Sequence, residues 1–166
     1  MFVRNFAPAL VFVAISAGMA HADVPVRIDQ FDNWGAYSLK SGDSVSCYVV
    51  SRPIAQKPSS VDHGGNFFIV SRSSPGNKLV PEAAMGYDLK DGAAMVASVG
   101  DKTFPMFTKY RHGWVTDETQ EPSMVNAMKG GAQLELQATS KRGTATSYSY
   151  SLSGITAALK RIETCK

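Results

Sequence analysis

Hydroxyls, imidazoles and a mixed basic and aromatic run are the groups in this chain that could do chemistry. The stretch "TSYSYSLSGI", Thr146 to Ile155, sets a serine at every second position. A serine becomes a nucleophile only when a base takes its proton and a sharp turn presents it. Neither a G-x-S-x-G nor an S-x-x-K pattern occurs, and once an N-terminal leader is removed only His63 and His112 remain as imidazole bases. No catalytic residue is assigned. Asp62 and His63, with His112 far off in sequence, are the candidate metal ligands. A metal site needs three or four ligands at workable spacing, and no H-E-x-x-H or paired His/Cys motif exists, so "DHGG" reads as a polar turn and no metal or cofactor is expected.

Two further stretches carry charge. "KYRHGW" places Lys109, Arg111 and His112 beside Tyr110 and Trp114, a mixture suited to an anionic or glycan partner. The strand-like alternation that follows favours a plainer reading, a solvated hairpin turn whose Trp114 enters the core. Lys109, Tyr110, Arg111, His112 and Trp114 remain the first partner surface to test. "ATSKRGTA" puts Lys141 and Arg142 beside Gly143, which reads as a hairpin tip.

These groups must be held by elements, and the elements look mostly like strands. In a strand, alternate side chains take opposite faces, so Thr146, Tyr148, Tyr150 and Leu152 form an inward row and the serines at 147, 149, 151 and 153 an outward one. Trp34–Leu39 and Val45–Ser51 flank the turn-rich "KSGDS"; in the second, Val45, Cys47 and Val49 share a face, which points Cys47 inward. "RPIAQKPSSVDHGG" reads as a long loop, and "NFFIVSR" as a strand covered on both faces. After the loop "SSPGNKLVP", Asp91-Gly92 lies between "EAAMGYDL" and "AAMVASVG", which is a hairpin signal. "DKTFPMFTKY" and "RHGWVTD" predict two more strands around a turn, with Pro105 marking an edge or bulge. "QLELQATS" and "TATSYSYSL" predict a hairpin through Lys141-Arg142-Gly143.

Helical periodicity occurs twice. One segment, 122–129, runs from Pro122 to Gly130 with Met124, Val125 and Met128 apolar. The other, 154–163, carries Ile155, Ala158, Leu159 and Ile162 on one face, with Ser153 or Thr156 near its start. Many short strands with frequent turns predict a mainly β fold, an antiparallel β-sandwich of the immunoglobulin-like class with these two short helices appended.

The N-terminus has the layout of a secretory signal peptide. Arg4 precedes an uncharged, mostly apolar run from Phe6 to Met19, and "AHA" ends at Ala22 with small residues before a cut. The rival reading, an uncleaved anchor, fits less well because a spanning helix needs about 20 apolar residues. Residues 1–22 are therefore expected to be removed, leaving 23–166 as one domain. In an oxidising compartment Cys47 and Cys165, the only two cysteines, are best read as one structural disulfide. It would close a loop of about 118 residues, for which chain entropy gives at most about 5 kcal/mol.

The whole chain carries a formal +3, and loss of Arg4 lowers it further, too weak a field to argue for nucleic acid. No segment of the mature chain is apolar enough to span a membrane as a helix.

Taken in order, "SCYVVSRP", "MGYDLKDG", "FPMF", "MVNAMKGG", "TSKRGTATSYSYSLSGITAAL" and the last cysteine resemble the invasion-associated locus B family. The resemblance runs from about Phe31 and Trp34 to Cys165, and it is most specific in the helix with "MKGG" followed by S-x-R-G-T and Y-S-L-x-G. It implies an exported protein of alphaproteobacterial type, a β-sandwich and a Cys47–Cys165 disulfide. It implies no enzymatic activity, cofactor or catalytic set. The family takes its name from a member implicated in erythrocyte invasion, yet it also occurs in bacteria that do not invade cells. One departure stands out: "DHGG" occupies Asp62–Gly65 where a basic "RG" is expected, so no charge-dependent role carries over there. The expected function is non-enzymatic binding of a protein or envelope partner, in the periplasm or outer envelope, with a possible host-invasion role. The alternative is a periplasmic accessory or stress protein that supports envelope assembly.

Overall fold

The computed structural model describes residues 24–73 and 78–165. The expected signal peptide, 1–22, lies outside the described residues. The described residues form eleven strands, all paired antiparallel, two α-helices and one 3-10 turn, Glu118–Gln120. The strands are β1 (Val26–Phe31), β2 (Trp34–Ser41), β3 (Ser44–Ser51), β4 (Ala55–Lys57), β5 (Phe67–Arg72), β6 (Leu79–Ala84), β7 (Met95–Val99), β8 (Lys102–Lys109), β9 (His112–Val115), β10 (Gln133–Thr139) and β11 (Ala145–Ser151). Helix α1 spans Glu121–Gly130 and α2 spans Ile155–Glu163.

Hydrogen bonding joins the strands in the order β1-β2-β3-β5-β6-β9-β8-β7-β10-β11-β4. A sheet this long cannot stay open with one apolar face exposed, so it folds over on itself. Trp34 of β2 donates its indole N–H to Ser151 O of β11 (2.9 Å). Phe68 of β5 meets Tyr150 of β11 edge-on, ring centroids 5.7 Å apart. Strands far apart in the sheet order thus share one core, and the fold is mainly β and sandwich-like, as the sequence predicts.

The inward rows follow strand alternation closely. Thr146, Tyr148, Tyr150 and Leu152 are buried, whereas Ser147, Ser149 and Ser151 are half-buried and Ser153 is exposed. Two of the outward serines bond to carboxylates: Ser149 Oγ donates to Glu135 Oε2 (2.8 Å), and Ser153 Oγ to Asp32 Oδ2 (2.7 Å). Both helices bury the expected faces, Met124, Val125 and Met128 in α1 and Ile155, Ala158, Leu159 and Ile162 in α2. Helix α2 packs on β1, β2 and β3, and the Cys47–Cys165 disulfide (Cα–Cα 6.2 Å) fastens the chain just past its end to β3.

Several local expectations give way to tertiary pairing. Asp91-Gly92 does turn, with Gly92 at φ 70°, but it makes no hairpin. The strand before it, β6, ends at Ala84 and pairs with β5 and β9; β7 pairs with β8 and β10. Met85–Leu89 is instead a loop tied to β10 through a Leu89–Ser140 bridge and a bond from Lys90 N to Thr139 O (3.0 Å). The long "RPIAQKPSSVDHGG" loop contains β4, which ends the sheet by pairing with β11. In β5, Phe68 and Val70 are buried while Phe67 and Ile69 stay half-exposed, so one face is covered, not two. Val45 is 36% exposed because the β2–β3 hairpin tip extends past the core.

Pro105 sits in an interior strand, neither at an edge nor at a bulge. Its carbonyl accepts from Thr116 N (2.9 Å) just beyond the end of β9. In an extended strand N–H and C=O of one residue point the same way, so its missing donor falls where that ladder has stopped. Finally, α2 starts at Gly154 (φ 89°) with no side-chain cap. Neither Ser153 nor Thr156 caps it; Ser153 is bonded to Asp32, and Thr156 Oγ1 donates to Lys129 O.

Candidate functional site

Three stretches that lie far apart in sequence meet at one end of the molecule. Asp62 and His63, Arg111 of the β8–β9 turn, and Lys141 and Arg142 of the β10–β11 tip all line a single cleft of about 500 Å³. Tyr87, Asp88 and Thr146 line it with them.

"DHGG" forms the expected polar turn, but the His63 side chain within it is buried. It is 7% exposed, and both ring nitrogens are engaged: Nε2 lies 2.8 Å from Pro58 O and Nδ1 2.8 Å from the Tyr148 hydroxyl. A carbonyl oxygen can only accept, so Nε2 carries a proton. From Tyr148 the contacts continue to the Tyr87 hydroxyl (3.0 Å) and on to Thr146 Oγ1 (2.7 Å). Burial, with the Tyr87 hydrogen bond adding to it, pushes the Tyr148 phenol well above its ordinary pKa.

The loop that holds His63 is built by a buried amide and close-packed glycines. Asn66, 3% exposed, donates Nδ2 to His63 O (3.1 Å) and to Gln56 Oε1 (2.8 Å), and its Oδ1 accepts from Gly86 N (2.9 Å). A Cβ on Gly86 would stand 2.5 Å from Gly65 N and 2.6 Å from His63 O, so only glycine lets the two loops touch backbone to backbone. Asp62 Oδ1 accepts from Gly64 N (2.9 Å), closing an Asx turn. Both nitrogens of His63 are thus engaged within the protein, and Asp62 Oδ1 within its own turn. Among the described residues no group of three His, Cys, Asp or Glu side chains stands together as a metal site.

The structure splits the 109–114 stretch between two surfaces. Arg111 turns to the cleft and pairs with Asp88 (Nε–Oδ1 2.8 Å), and this guanidinium, with Lys141 further off, holds the Asp88 carboxyl below the usual carboxylate range. His112 and Trp114 face the other way, onto the outer side of the sheet. Trp114 does not enter the core: it is half-buried, stacked on His112 (5.6 Å) and tilted against Phe107 (5.6 Å), and Phe107 is 48% exposed. The β9 register decides this, since Gly113 and Val115 take the inward positions. His112 Nδ1 lies 2.5 Å from Glu82 Oε1 across the sheet. Tyr110, at the tip with φ 56°, is 75% exposed, and Lys109 Nζ lies 6.0 Å from its ring centre.

Sequence reasoning missed Tyr87, Asp88 and Asn66 altogether, and it assigned Thr146 and Tyr148 to the core without their polar contacts. A buried-row tyrosine needs a partner for its hydroxyl, and that was the available signal.

Residues 34–163 match the family model for the invasion-associated locus B (IalB) protein. No curated protein is matched. Among solved structures, the chain is similar to the crystal structure of invasion-associated protein B from Bartonella henselae, with a TM-score of 0.60 and 13% sequence identity over 81% of this chain and 94% of that one. At that identity the likeness establishes the fold alone. The family match spans most of the chain, and the protein belongs to the invasion-associated locus B family.

Proposed function

We propose that the mature chain, 23–166, is exported to the periplasm or outer envelope and acts there by non-enzymatic binding of a protein partner, through the turn from Lys109 to Trp114. The observation that carries this reading is the exposure of aromatic surface at that turn. Tyr110 is 75% exposed with Lys109 against its ring, and Phe107 is 48% exposed with Trp114 and His112 stacked beside it. Aromatic side chains and arginine supply most of the energy at protein interfaces. The disulfide is in keeping with an oxidising compartment. Binding rather than catalysis fits this reading, because the buried imidazole is held at both nitrogens and the outward Ser149 and Ser153 hydroxyls bond to carboxylates. In a host-associated bacterium such binding would serve invasion or colonisation.

A photocrosslinking amino acid at Tyr110 in living cells tests the reading. A covalent adduct with an envelope or host-surface protein is expected there and not from Asp43 in the β2–β3 turn. Adducts at both positions alike, or at neither, would sink it. An adduct with a periplasmic assembly factor alone would favour the accessory role over host contact.

A further inference from the structure

The cleft behind the turn has an imbalance of hydrogen-bonding groups that points to a ligand of its own. Each of its two acids is engaged through Oδ1, Asp88 with Arg111 and Asp62 with Gly64 N. Its cationic donors outnumber them. Arg111 uses only Nε, so the two terminal nitrogens of its guanidinium meet no acceptor among the described residues. The side chains of Lys141 and Arg142, exposed at the mouth, meet none either. Below them, Tyr87 and Thr146 bring hydroxyls to the floor, and Val61 and the Tyr87 ring give it apolar wall. Asn66 and the Gly86–Gly65 contact tie together the two loops that carry His63 and Tyr87.

We propose that this cleft binds a small organic monocarboxylate, its carboxylate held by Arg111, Lys141 and Arg142 and its body lying against Val61 and Tyr87. A guanidinium already oriented through Nε presents its remaining N–H groups as a planar fork, which matches a planar carboxylate. Three cations against two carboxylates leave one net positive charge in the lining, which a monocarboxylate neutralises and a phosphate dianion overshoots. A volume of about 500 Å³ accommodates a molecule of metabolite size. The cleft adjoins the proposed partner surface through Arg111, but it is a separate site: small-molecule binding by the isolated protein does not depend on a protein partner.

The test is an NMR titration of the purified, disulfide-intact protein with benzoate, benzyl alcohol and inorganic phosphate at millimolar concentration. Saturable shifts of the Gly86, Gly143 and Thr144 amides are expected with benzoate, and not with benzyl alcohol, which lacks the charge. The double variant K141E/R142E should weaken benzoate roughly tenfold or more, and K141Q/R142Q by a smaller factor. Both substitutions lie at an exposed hairpin tip, and an unchanged melting temperature confirms the fold; the Gln pair serves if the Glu pair is unstable. The proposal is overturned by no saturable shift with benzoate, by equal response to benzyl alcohol, by tighter binding of phosphate, or by benzoate affinity indifferent to both variants. Failure here leaves crosslinking at Tyr110 unaffected, so the two readings fall separately.

Discussion

Single residues show how burial turns reactive side chains into structural ones. His63 and Tyr148 each have a group that could transfer a proton, yet both are held in one buried hydrogen-bond chain. Removing the Tyr148 hydroxyl leaves His63 Nδ1 without its partner, and Tyr148→Phe should destabilise the fold by about 1–3 kcal/mol in urea denaturation. A loss indistinguishable from zero would mean that water replaces the hydroxyl at no cost. Burial also raises the pKa of Tyr148 and Tyr150 in the folded state. Both are then neutral when folded at a pH where the unfolded phenols, near 10.0, ionise. The unfolded chain binds fewer protons there, so the two tyrosines contribute a stability that is level below about pH 10 and falls as pH rises beyond it. Thermal melts across that range check the sign, and Tyr148→Phe should flatten the fall.

Elements depend on a few backbone positions that no side chain can replace. Gly154 starts α2 at φ 89°, and a Cβ there would lie 2.1 Å from Phe31 O. Gly143, at the β10–β11 tip, has the same φ but nothing within 4 Å of a Cβ. The left-handed backbone alone costs an alanine about 1–3 kcal/mol. Gly143→Ala should show that penalty and no more, and Gly154→Ala should exceed it, because Phe31 must also move. Equal melting temperatures for the two variants would refute the steric account. Helix α2 itself is secured mainly by its apolar face: Leu159→Ala should cost about 2–5 kcal/mol in denaturant unfolding, as for other buried leucines.

At the scale of the whole molecule, the disulfide joins β3 to the end of the chain, 118 residues apart, and pins α2 over β1, β2 and β3. Replacing both cysteines by serine should lower stability by about 2–5 kcal/mol, measured against the oxidised protein. Reduction of the native protein should reproduce the loss, and an unchanged midpoint would refute it. Much of this architecture was legible beforehand because its causes are local. Alternation placed the inward row of β11, apolar spacing placed both buried helix faces, and the two cysteines had only each other. Asp91-Gly92 misled because its turn forms locally while strand pairing is decided by partners distant in sequence: β6 pairs with β5 and β9. Trp114 misled because a one-residue difference in register decides which face a side chain takes. The candidate site was legible only as fragments, "DHGG", "KYRHGW" and "ATSKRGTA", each plausible as a plain turn. The sequence by itself determined the family, the strand-rich composition, the helix faces and the disulfide, all properties of short-range pattern or of pairs without rivals. Only the tertiary structure decided that Asp62, His63, Arg111, Lys141 and Arg142 share one cleft, because long-range strand order sets which loops meet and sequence distance carries no record of it.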